Sequence, residues 1–376
     1  MGRQAPNVHV RVWKNRSPMG IRRTVRRETR FVRRALHHPR LVLLRARRLT
    51  SARTLYVERN HDIENAMMLV SSGRSGSTWL SEVLVDAFSS RLIFEPFRRD
   101  RVPLSADLPW GSYAQPGTDR PELERVVGRI LSGRIRHPLV DSLNQQRFPR
   151  RRLVKEIRAN NLLPWMHTRF PRVPYVYLLR HPVAASWSAT QLRWKPFLDE
   201  FIRQDKLITG PLAPYTGVIA RHGDDPDLFH RHVLRWCLEN VVPVQLLAPG
   251  SVHVVFYEDL LEEPDRELSR LARYFERFGP RWPFDPSTPR AMNRPSRANY
   301  RRTPALTGDQ RLASWVEVVP APSVSRAVAL LAEFGLDRLY GSSVRPQLAA
   351  DEVLRGSPVG QSERSDGGGR TSSKAR

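Results

Sequence analysis

The sequence contains a single cysteine, Cys237, among its 376 residues. One cysteine excludes an internal disulfide bond and a zinc site built from cysteines, and it is typical of proteins from a reducing compartment. The chain also lacks an apolar run of the ~18 residues that a membrane-spanning helix needs. Near the N-terminus the best apolar run covers only residues 41–44, and no signal-peptide segment follows the basic start. We therefore expect a cytoplasmic protein without a membrane anchor.

Acidic side chains are scarce relative to basic ones. The chain has 37 Asp and Glu against 62 Lys and Arg, which gives a formal net charge of +25. The imbalance is greatest in residues 1–60, which hold 17 basic and 2 acidic side chains. Such an excess favours anionic partners, namely a nucleotide, an anionic lipid surface or nucleic acid bound non-specifically. The charge alone does not choose among them.

Residues 1–60 are predicted to form a basic N-terminal extension. Within it, Ile21, Val25, Val32 and Leu36 fall on one side of a helix that Pro39 would end. A basic amphipathic helix of this type lies on an anionic membrane surface, which would make the protein membrane-peripheral. The alternative is a solvated extension without a partner.

A short strand, a loop of small residues and a helix follow one another at residues 67–88. The apolar residues 67–70 predict a buried strand, and the apolar positions from Trp79 onward recur with helical spacing. The loop contains Gly73, Arg74 and Gly76, and free N–H groups at a helix N-terminus make such a junction an anion site. It differs from the phosphate loop G-x-x-x-x-G-K-[ST], because no lysine follows its second glycine.

Strands and helices alternate along the rest of the chain. Further buried strands are predicted at residues 91–94, 153–157, 174–179 and 252–257. This alternation predicts an α/β fold with a mainly parallel sheet flanked by helices and a P-loop-like loop after the first strand. Ligands of such sheets bind beyond the carboxyl ends of the strands.

Composition sets the expected boundaries of the folded domain. We expect the domain at residues 61–340, with irregular loops at 98–120 and 195–227. The Gly, Ser and charged residues of 341–376 predict a disordered tail.

The segment Arg74-Ser75-Gly76-Ser77-Thr78, followed by Trp79, resembles the 5′-phosphosulfate loop of sulfotransferases that use 3′-phosphoadenosine 5′-phosphosulfate (PAPS). The resemblance implies that Arg74 neutralises the leaving oxygen of the phosphosulfate. It also implies that the four residues after Arg74 bind this group through hydroxyl and backbone N–H donors. Trp79 either stacks on the adenine ring or packs on the helix face.

A second resemblance lies in Leu178-Leu179-Arg180-His181-Pro182, with Ser188 on the following helix. It is similar to the 3′-phosphate element of the same family, and it implies that Arg180 and Ser188 donate to that phosphate. The forked donor set of arginine matches phosphate geometry. Nearer the C-terminus, Arg294-Pro295-Ser296 resembles the family's C-terminal cofactor loop, which implies that Arg294 also binds the cofactor. The resemblance spans residues 67–315.

A third resemblance concerns the catalytic base. In carbohydrate and tyrosylprotein sulfotransferases a glutamate soon after the first helix is thought to accept the proton of the acceptor hydroxyl, and Glu95 of Phe94-Glu95-Pro96 stands there. Another branch uses a histidine in a Lys-Thr-His run, where this chain has Lys155-Glu156-Ile157. Glu95 is therefore the first candidate, with a raised pKa if it is buried, and Glu156 is the second. The alternative is that Glu95 only pairs with Arg74 or Arg98.

The resemblance implies a PAPS-dependent sulfotransferase of bacterial type. Its acceptor would be a hydroxyl, by analogy on a glycan or glycolipid, and no metal or specific nucleic acid would be required. Two other functions stay open. One is a P-loop kinase, which the missing lysine weakens, and the other is a basic protein that binds nucleic acid or a membrane surface.

Overall fold

The computed structural model describes residues 56–284 and 312–355 of the chain. In these residues five strands form one sheet in the order β2-β3-β1-β4-β5, and every neighbouring pair is parallel. The strands are β1 (Ala66–Ser71), β2 (Ser90–Phe94), β3 (Arg151–Glu156), β4 (Tyr175–Leu179) and β5 (His253–Phe256). The predicted α/β fold class and all five predicted strands are confirmed.

Strand β1 occupies the centre of the sheet, between β3 and β4. The chain builds the β2 and β3 side first and then crosses over β1 to add β4 and β5. This reversal of strand order opens a crevice beyond the carboxyl end of β1, where open α/β sheets bind their ligands. Topology therefore places the predicted anion loop, which follows β1, at the binding edge.

Helices cover both faces of this sheet. The α-helices in the described residues are α1 (Ser77–Phe88), α2 (Pro121–Leu131), α3 (Leu163–Arg169), α4 (Pro182–Gln191), α5 (Leu198–Ile202), α6 (Asp205–Ile208), α7 (Thr216–His222), α8 (Leu228–Leu246), α9 (Tyr257–Glu262), α10 (Pro264–Glu276) and α11 (Ala321–Glu333). None of them is long and apolar enough to cross a membrane. The short helices α5, α6 and α7 correct the irregular loop predicted at 195–227. Helices of this length are marginal in isolation, and these bury residues such as Phe201 and Leu207 against the domain.

The alternation of side chains along β1 divides the core between the two faces. Met68 and Val70 belong to the apolar cluster on one face, and Met67 and Leu69 belong to the cluster on the other. All four residues are 0% exposed, which is why the strand reads as an unbroken apolar run. Helices α1 and α10 pack on the Met67 face, and α8 packs on the opposite face.

A buried ion-pair network holds the amino ends of β2 and β3. Arg91 and Arg152 are register partners on the two strands and are 0% and 1% exposed. Like charges at facing positions are destabilising, and Glu58 compensates them. Its Oε2 lies 2.6 Å from Arg91 Nη1, and its Oε1 lies 2.8 Å from Arg152 Nη1. Asp141 supplies a second carboxylate, 2.8 Å from Arg91 Nη2.

Both predicted ends of the domain need correction. Glu58, together with the buried Tyr56, belongs to the folded domain, so the boundary predicted after residue 60 is too late. The disordered tail predicted from Gly341 is wrong for residues 341–355, since Val353 and Leu354 are buried in the core. The rest of that tail, most of the basic extension and Arg294 lie outside the described residues.

We predict that Glu58→Ala destabilises the fold by about 3–5 kcal/mol, because it leaves the buried Arg152 without its carboxylate and leaves the facing Arg91 with Asp141 alone. The measurement is the free energy of unfolding in urea. Glu122→Ala is the control, since the Glu122 side chain is 92% exposed and lies 3.5 Å from Arg125. We expect that variant to change stability by less than about 1 kcal/mol. Equal losses in the two variants would contradict the role assigned to Glu58.

Candidate active site

The loop between β1 and α1 has the backbone geometry of an anion site. Gly76 is the N-cap of α1 in the left-handed region, with φ +84°, and no described side chain caps this helix. The first-turn N–H groups of an uncapped helix are available to a ligand. Ser75 is 0% exposed, and its hydroxyl has no hydrogen-bond partner among the described residues. An orphaned buried hydroxyl beside such a helix end fits an anionic ligand.

The fold brings the two predicted anion elements into direct contact. Arg74 Nε donates to Ser188 Oγ over 3.0 Å, and Arg180 Nη1 donates to the carbonyl oxygen of Arg74 over 2.9 Å. Arg74 has φ +69°, a left-handed conformation that is costly for a residue with a side chain. Two arginines and a serine hydroxyl therefore meet where β1 and β4 end. Ser186, two residues earlier on α4, is buried.

Tyr257, for which no role was predicted, lies between Arg180 and the loop that contains Gly76. The guanidinium carbon of Arg180 lies 4.5 Å from the centre of its ring. A Cβ atom on Gly76 would lie 2.4 Å from its Cε2 atom, so only glycine permits this approach. The signal in the sequence is the polar run Tyr257-Glu258-Asp259 directly after a buried strand, which marks the carboxyl edge of the sheet.

The turn that follows Arg180 is held in place by hydrogen bonds to the buried Glu258. The carboxylate of Glu258 accepts hydrogen bonds from the backbone N–H of His181 and from the hydroxyl of Tyr340, each over 2.9 Å. Burial raises the pKa of Glu258 to about 7, although these donors and Arg180 oppose the shift. Burial also lowers the pKa of His181 to about 4. His181 is therefore neutral at pH 7 and acts as the N-cap of α4 through its hydrogen bond from Val183 N–H.

Of the two roles expected for Trp79, stacking on adenine and packing on the helix face, the structure supports packing. Its side chain belongs to an apolar cluster, and the residue is 6% exposed. Its ring meets that of Tyr257 edge to face, with 6.0 Å between centroids. Ser77 is also buried, whereas Thr78 is partly exposed beside it at the start of α1. Trp79 thus fixes the helix under the loop.

Glu95 lies at the same edge of the sheet, just after β2, and has φ +46°. Its partners are Lys155 Nζ at 2.7 Å and Arg158 Nη1 at 3.0 Å, whereas Arg98 pairs with Asp100. Burial by itself would raise the pKa of Glu95, but the two cations outweigh it and lower the pKa to about 2. The expectation of a raised pKa is therefore wrong for this arrangement, because it ignored the cations.

Glu156, the second candidate base, is held by backbone donors. Its carboxylate accepts from the N–H groups of Phe97, Ile157 and Arg158 over 2.8–3.1 Å, and the residue is 0% exposed. Burial raises its pKa despite the nearby Arg158. A carboxylate enclosed in this way suits a structural role. Glu95, which is 8% exposed, retains some access.

Trp110 contacts two buried cations, one of which is bound to Glu95, and no local motif in the sequence indicated these contacts. The guanidinium carbons of Arg158 and Arg235 each lie 4.3 Å from the centre of its ring. Glu239 accepts from Trp110 Nε1 over 2.9 Å and pairs with Arg235 over 2.8 Å. The edge of the sheet is thus lined by cations whose spacing is fixed by an aromatic ring.

One group of side chains in the described part of the chain could hold a metal ion: His222, Asp225 and His230, with ligand atoms within 4.8 Å of each other. These atoms are already engaged, because His222 Nδ1 and His230 Nε2 lie 3.1 Å apart and Asp225 pairs with Arg326. The group contains none of the predicted site residues. The expectation that the reaction needs no metal stays a prediction.

Comparisons with known proteins are consistent with the sequence motifs. A family model described as the sulfotransferase domain matches residues 64–279. Among solved structures, the sulfotransferase domain from the curacin biosynthetic pathway is 17% identical, with a TM-score of 0.37, over 72% of this chain and 97% of that one. The sulfotransferase domain of the Synechococcus PCC 7002 olefin synthase is 17% identical, with a TM-score of 0.37, over 72% of this chain and 94% of that one.

A sulfotransferase from Alicyclobacillus acidocaldarius is 16% identical, with a TM-score of 0.32, over 73% of this chain and 97% of that one. No curated protein matches the sequence.

The approach of Gly76 to Tyr257 can be tested against a second left-handed glycine. Gly117 has φ +75° and would place a Cβ atom in open space, so Gly117→Ala should cost only the left-handed backbone term of about 1–2 kcal/mol. Gly76→Ala adds a steric clash with the Tyr257 ring, and we expect a further loss of about 1–3 kcal/mol. Unfolding in urea measures both. Equal losses would mean that the ring moves aside freely.

Proposed function

This chain belongs to the sulfotransferase domain family, whose model covers more than half of it, and we propose that it transfers a sulfonate from PAPS to a hydroxyl of a glycan or glycolipid. Sulfotransfer follows from the family. The donor, the acceptor and the roles of individual residues are the proposal. The observation that supports this proposal is the contact among Arg74, Arg180 and Ser188 at the carboxyl ends of β1 and β4.

The donor is assigned from the chemistry of this contact. Residues 74–79 offer the helix N-terminus, the Ser75 hydroxyl and the Arg74 guanidinium to a phosphosulfate. Arg180 and Ser188 stand beside them for a second anion, the 3′-phosphate, which arginine binds with forked geometry. Arg294 is proposed as a further phosphate ligand, and it lies outside the described residues. Two anion subsites joined by two hydrogen bonds fit a nucleotide with two separated anionic groups.

The reaction is an in-line displacement at sulfur. The acceptor oxygen forms a bond to sulfur while the bond from sulfur to the bridging phosphate oxygen breaks, and the acceptor proton passes to a base. Charge grows on the bridging oxygen, where Arg74 and the N–H groups of α1 stabilise it. The site contributes position and electrostatics, as in phosphoryl transfer.

Glu95 is proposed as the base. It lies at the same sheet edge as Arg74 and is ionised at neutral pH, so it can accept a proton. Lys155 and Arg158 lower its basicity, however, and catalysis would be favoured if an anionic donor drew one of these cations away. The left-handed backbone of both Glu95 and Arg74 supports the assignment, because strain of this kind clusters at functional sites.

Two earlier alternatives are less well supported. A P-loop kinase lacks its lysine here, and the family match favours sulfonyl over phosphoryl transfer. A basic binding protein would need no paired anion subsites. Binding of adenosine 3′,5′-bisphosphate (PAP) without metal separates the three, because a kinase prefers Mg-ATP and a basic binding protein prefers neither nucleotide.

The compartment and the surface partner are also proposals. The single cysteine supports a cytoplasmic location. The basic composition of residues 1–60 supports peripheral contact with an anionic membrane, which co-sedimentation with anionic vesicles would test. Specific nucleic-acid binding is not expected, since the sequence contains no recognised nucleic-acid motif.

We predict that Arg180→Ala weakens binding of PAP by about 10- to 150-fold, the value of one charge-assisted contact. Binding of adenosine 5′-phosphate should change far less, because it lacks the 3′-phosphate. Calorimetric titration of both nucleotides is the measurement. Arg180→Lys is the control that keeps the charge without the fork. Equal losses for the two nucleotides would show that Arg180 does not recognise the 3′-phosphate.

We predict that Glu95→Gln lowers turnover by about 10²–10⁴-fold, the usual contribution of a general base, with PAP affinity nearly unchanged. Single-turnover sulfate transfer and PAP titration measure the two quantities. Glu156→Gln is the matched variant. It disturbs the hydrogen bonds that backbone N–H groups donate to Glu156, but it retains Glu95 as the base. Normal turnover in Glu95→Gln with failure in Glu156→Gln would identify Glu156 as the base.

If Glu95 has only a structural role, its replacement should change the stability of the protein and not its turnover. Its pKa falls from 4.5 to about 2 in the fold, so its ion pairs stabilise the protein above pH ~4.5 and this contribution is lost as the pH falls toward 2. Glu95→Gln removes that pH dependence whatever the role in catalysis. Loss of stability together with full turnover of the folded fraction would therefore assign Glu95 to structure alone.

A further inference from the structure

A cavity of about 760 Å³ lies beside the phosphosulfate loop, between the segment 193–197 and helices α5, α6, α7 and the start of α8. Its volume is in the range of small-molecule sites. Much of its lining is apolar and comes from one stretch of sequence: Trp194, Phe197, Ile202, Ile208, Ile219 and Leu228. We call this cavity the acceptor pocket.

Trp194 forms a wall that the acceptor pocket shares with the loop. A Cβ atom on Gly73 would lie 2.9 Å from Cζ3 of Trp194, so the ring touches the loop backbone. The guanidinium carbon of Arg74 lies 5.7 Å from the centre of the same ring. A molecule in the acceptor pocket is therefore separated from the proposed sulfonate position by one side chain.

Phe197 connects the pocket to the proposed base. Its ring stacks on Trp110 with 5.0 Å between centroids and 12° between planes. Trp110 contacts Arg158, and Arg158 is bound to Glu95. The pocket is thus linked to Glu95 through the ring of Trp110 and the guanidinium of Arg158.

The backbone around Trp194 is held in a specific shape. Arg193 and Phe197 both adopt left-handed conformations, with φ +51° and +53°. Non-glycine residues keep such angles only where their surroundings fix them, and they cluster at ligand sites. Here the two residues bracket the segment that presents both aromatic walls of the pocket.

The lining indicates what kind of molecule fits. Ile202 is 44% exposed, which is unusual for a large aliphatic side chain inside a concavity. Charged side chains of both signs, including Arg193, Lys195, Asp199 and Asp224, also line the pocket, so it does not select an anion. Burial of apolar surface is then the main source of affinity.

We infer that the acceptor pocket binds the apolar portion of an amphiphilic alcohol, so that the acceptor is a glycolipid and not a free glycan. This inference rests on the proposed sulfotransfer to a glycan or glycolipid and selects the second. The hydroxyl-bearing head projects past Trp194 toward Arg74 and Glu95, while the apolar tail lies along α5 and α7.

The test compares two acceptors with one head group. Methyl and octyl β-glucopyranoside are titrated into the full chain loaded with PAP, with the octyl compound below its micelle concentration. A buried methylene contributes about fourfold in affinity, so we expect octyl glucoside to bind at least about tenfold more tightly than methyl glucoside even if only two methylenes are buried. Ile202→Glu should abolish this difference, because it places a charge on the apolar wall.

Val318→Glu is the matched control, since Val318 is 50% exposed and does not line the pocket. It should keep the full preference for the octyl compound. The inference is overturned if octyl glucoside does not bind, if the two glucosides bind equally, or if the two variants lose the preference to the same extent. Failure to bind PAP in the first titration would instead overturn the proposed donor, and the octyl preference can then be measured without it.

Discussion

The hydrogen bond from Arg180 to the carbonyl oxygen of Arg74 is the contact on which the site depends. It joins two loops that are 106 residues apart in the chain, at the ends of adjacent parallel strands. The same Arg180 lies over the ring of Tyr257, and that ring packs against Gly76. One guanidinium, one aromatic ring and one glycine thus fix the distance between the two loops. Because protein interiors tolerate little change in volume, we expect these packed side chains to keep this distance constant.

The second constraint is electrostatic. Lys155, Arg158 and Arg235 are buried near the carboxyl edge of the sheet. Burial of several cations is costly unless carboxylates accompany them. Glu95 and Glu239 supply that charge. The same pairing that makes the cations tolerable lowers the pKa of Glu95. Basicity and stability therefore oppose each other at this residue.

The acceptor pocket and the proposed donor site are built from different kinds of structural element. The residues proposed to bind the donor lie in the loops directly after β1 and β4 and on the helices α1 and α4 that follow them, next to the ends of the strands. The acceptor pocket is built from the segment 193–197 and short helices that are marginal on their own. Catalytic scaffolds commonly carry variable loops around a rigid centre. The rings of Trp194 and Phe197 form the junction between these two parts, since each contacts a residue next to the site.

The sequence by itself determined the five strands, their order with the helices, and the placement of Arg74, Glu95 and Arg180 at strand ends. These features depend on local periodicity and on the loop composition next to it, which neighbouring residues encode. Only the tertiary structure decided the partners of Glu95, the position of Tyr257, and the burial of the Glu58 side chain and of three C-terminal residues, Ala350, Val353 and Leu354. Each of these depends on side chains far apart in the chain, as with Glu95 and Lys155, which are 60 residues apart. A charge run in sequence shows that cations are present. It does not show which carboxylate each will meet, because packing of the whole domain sets that distance.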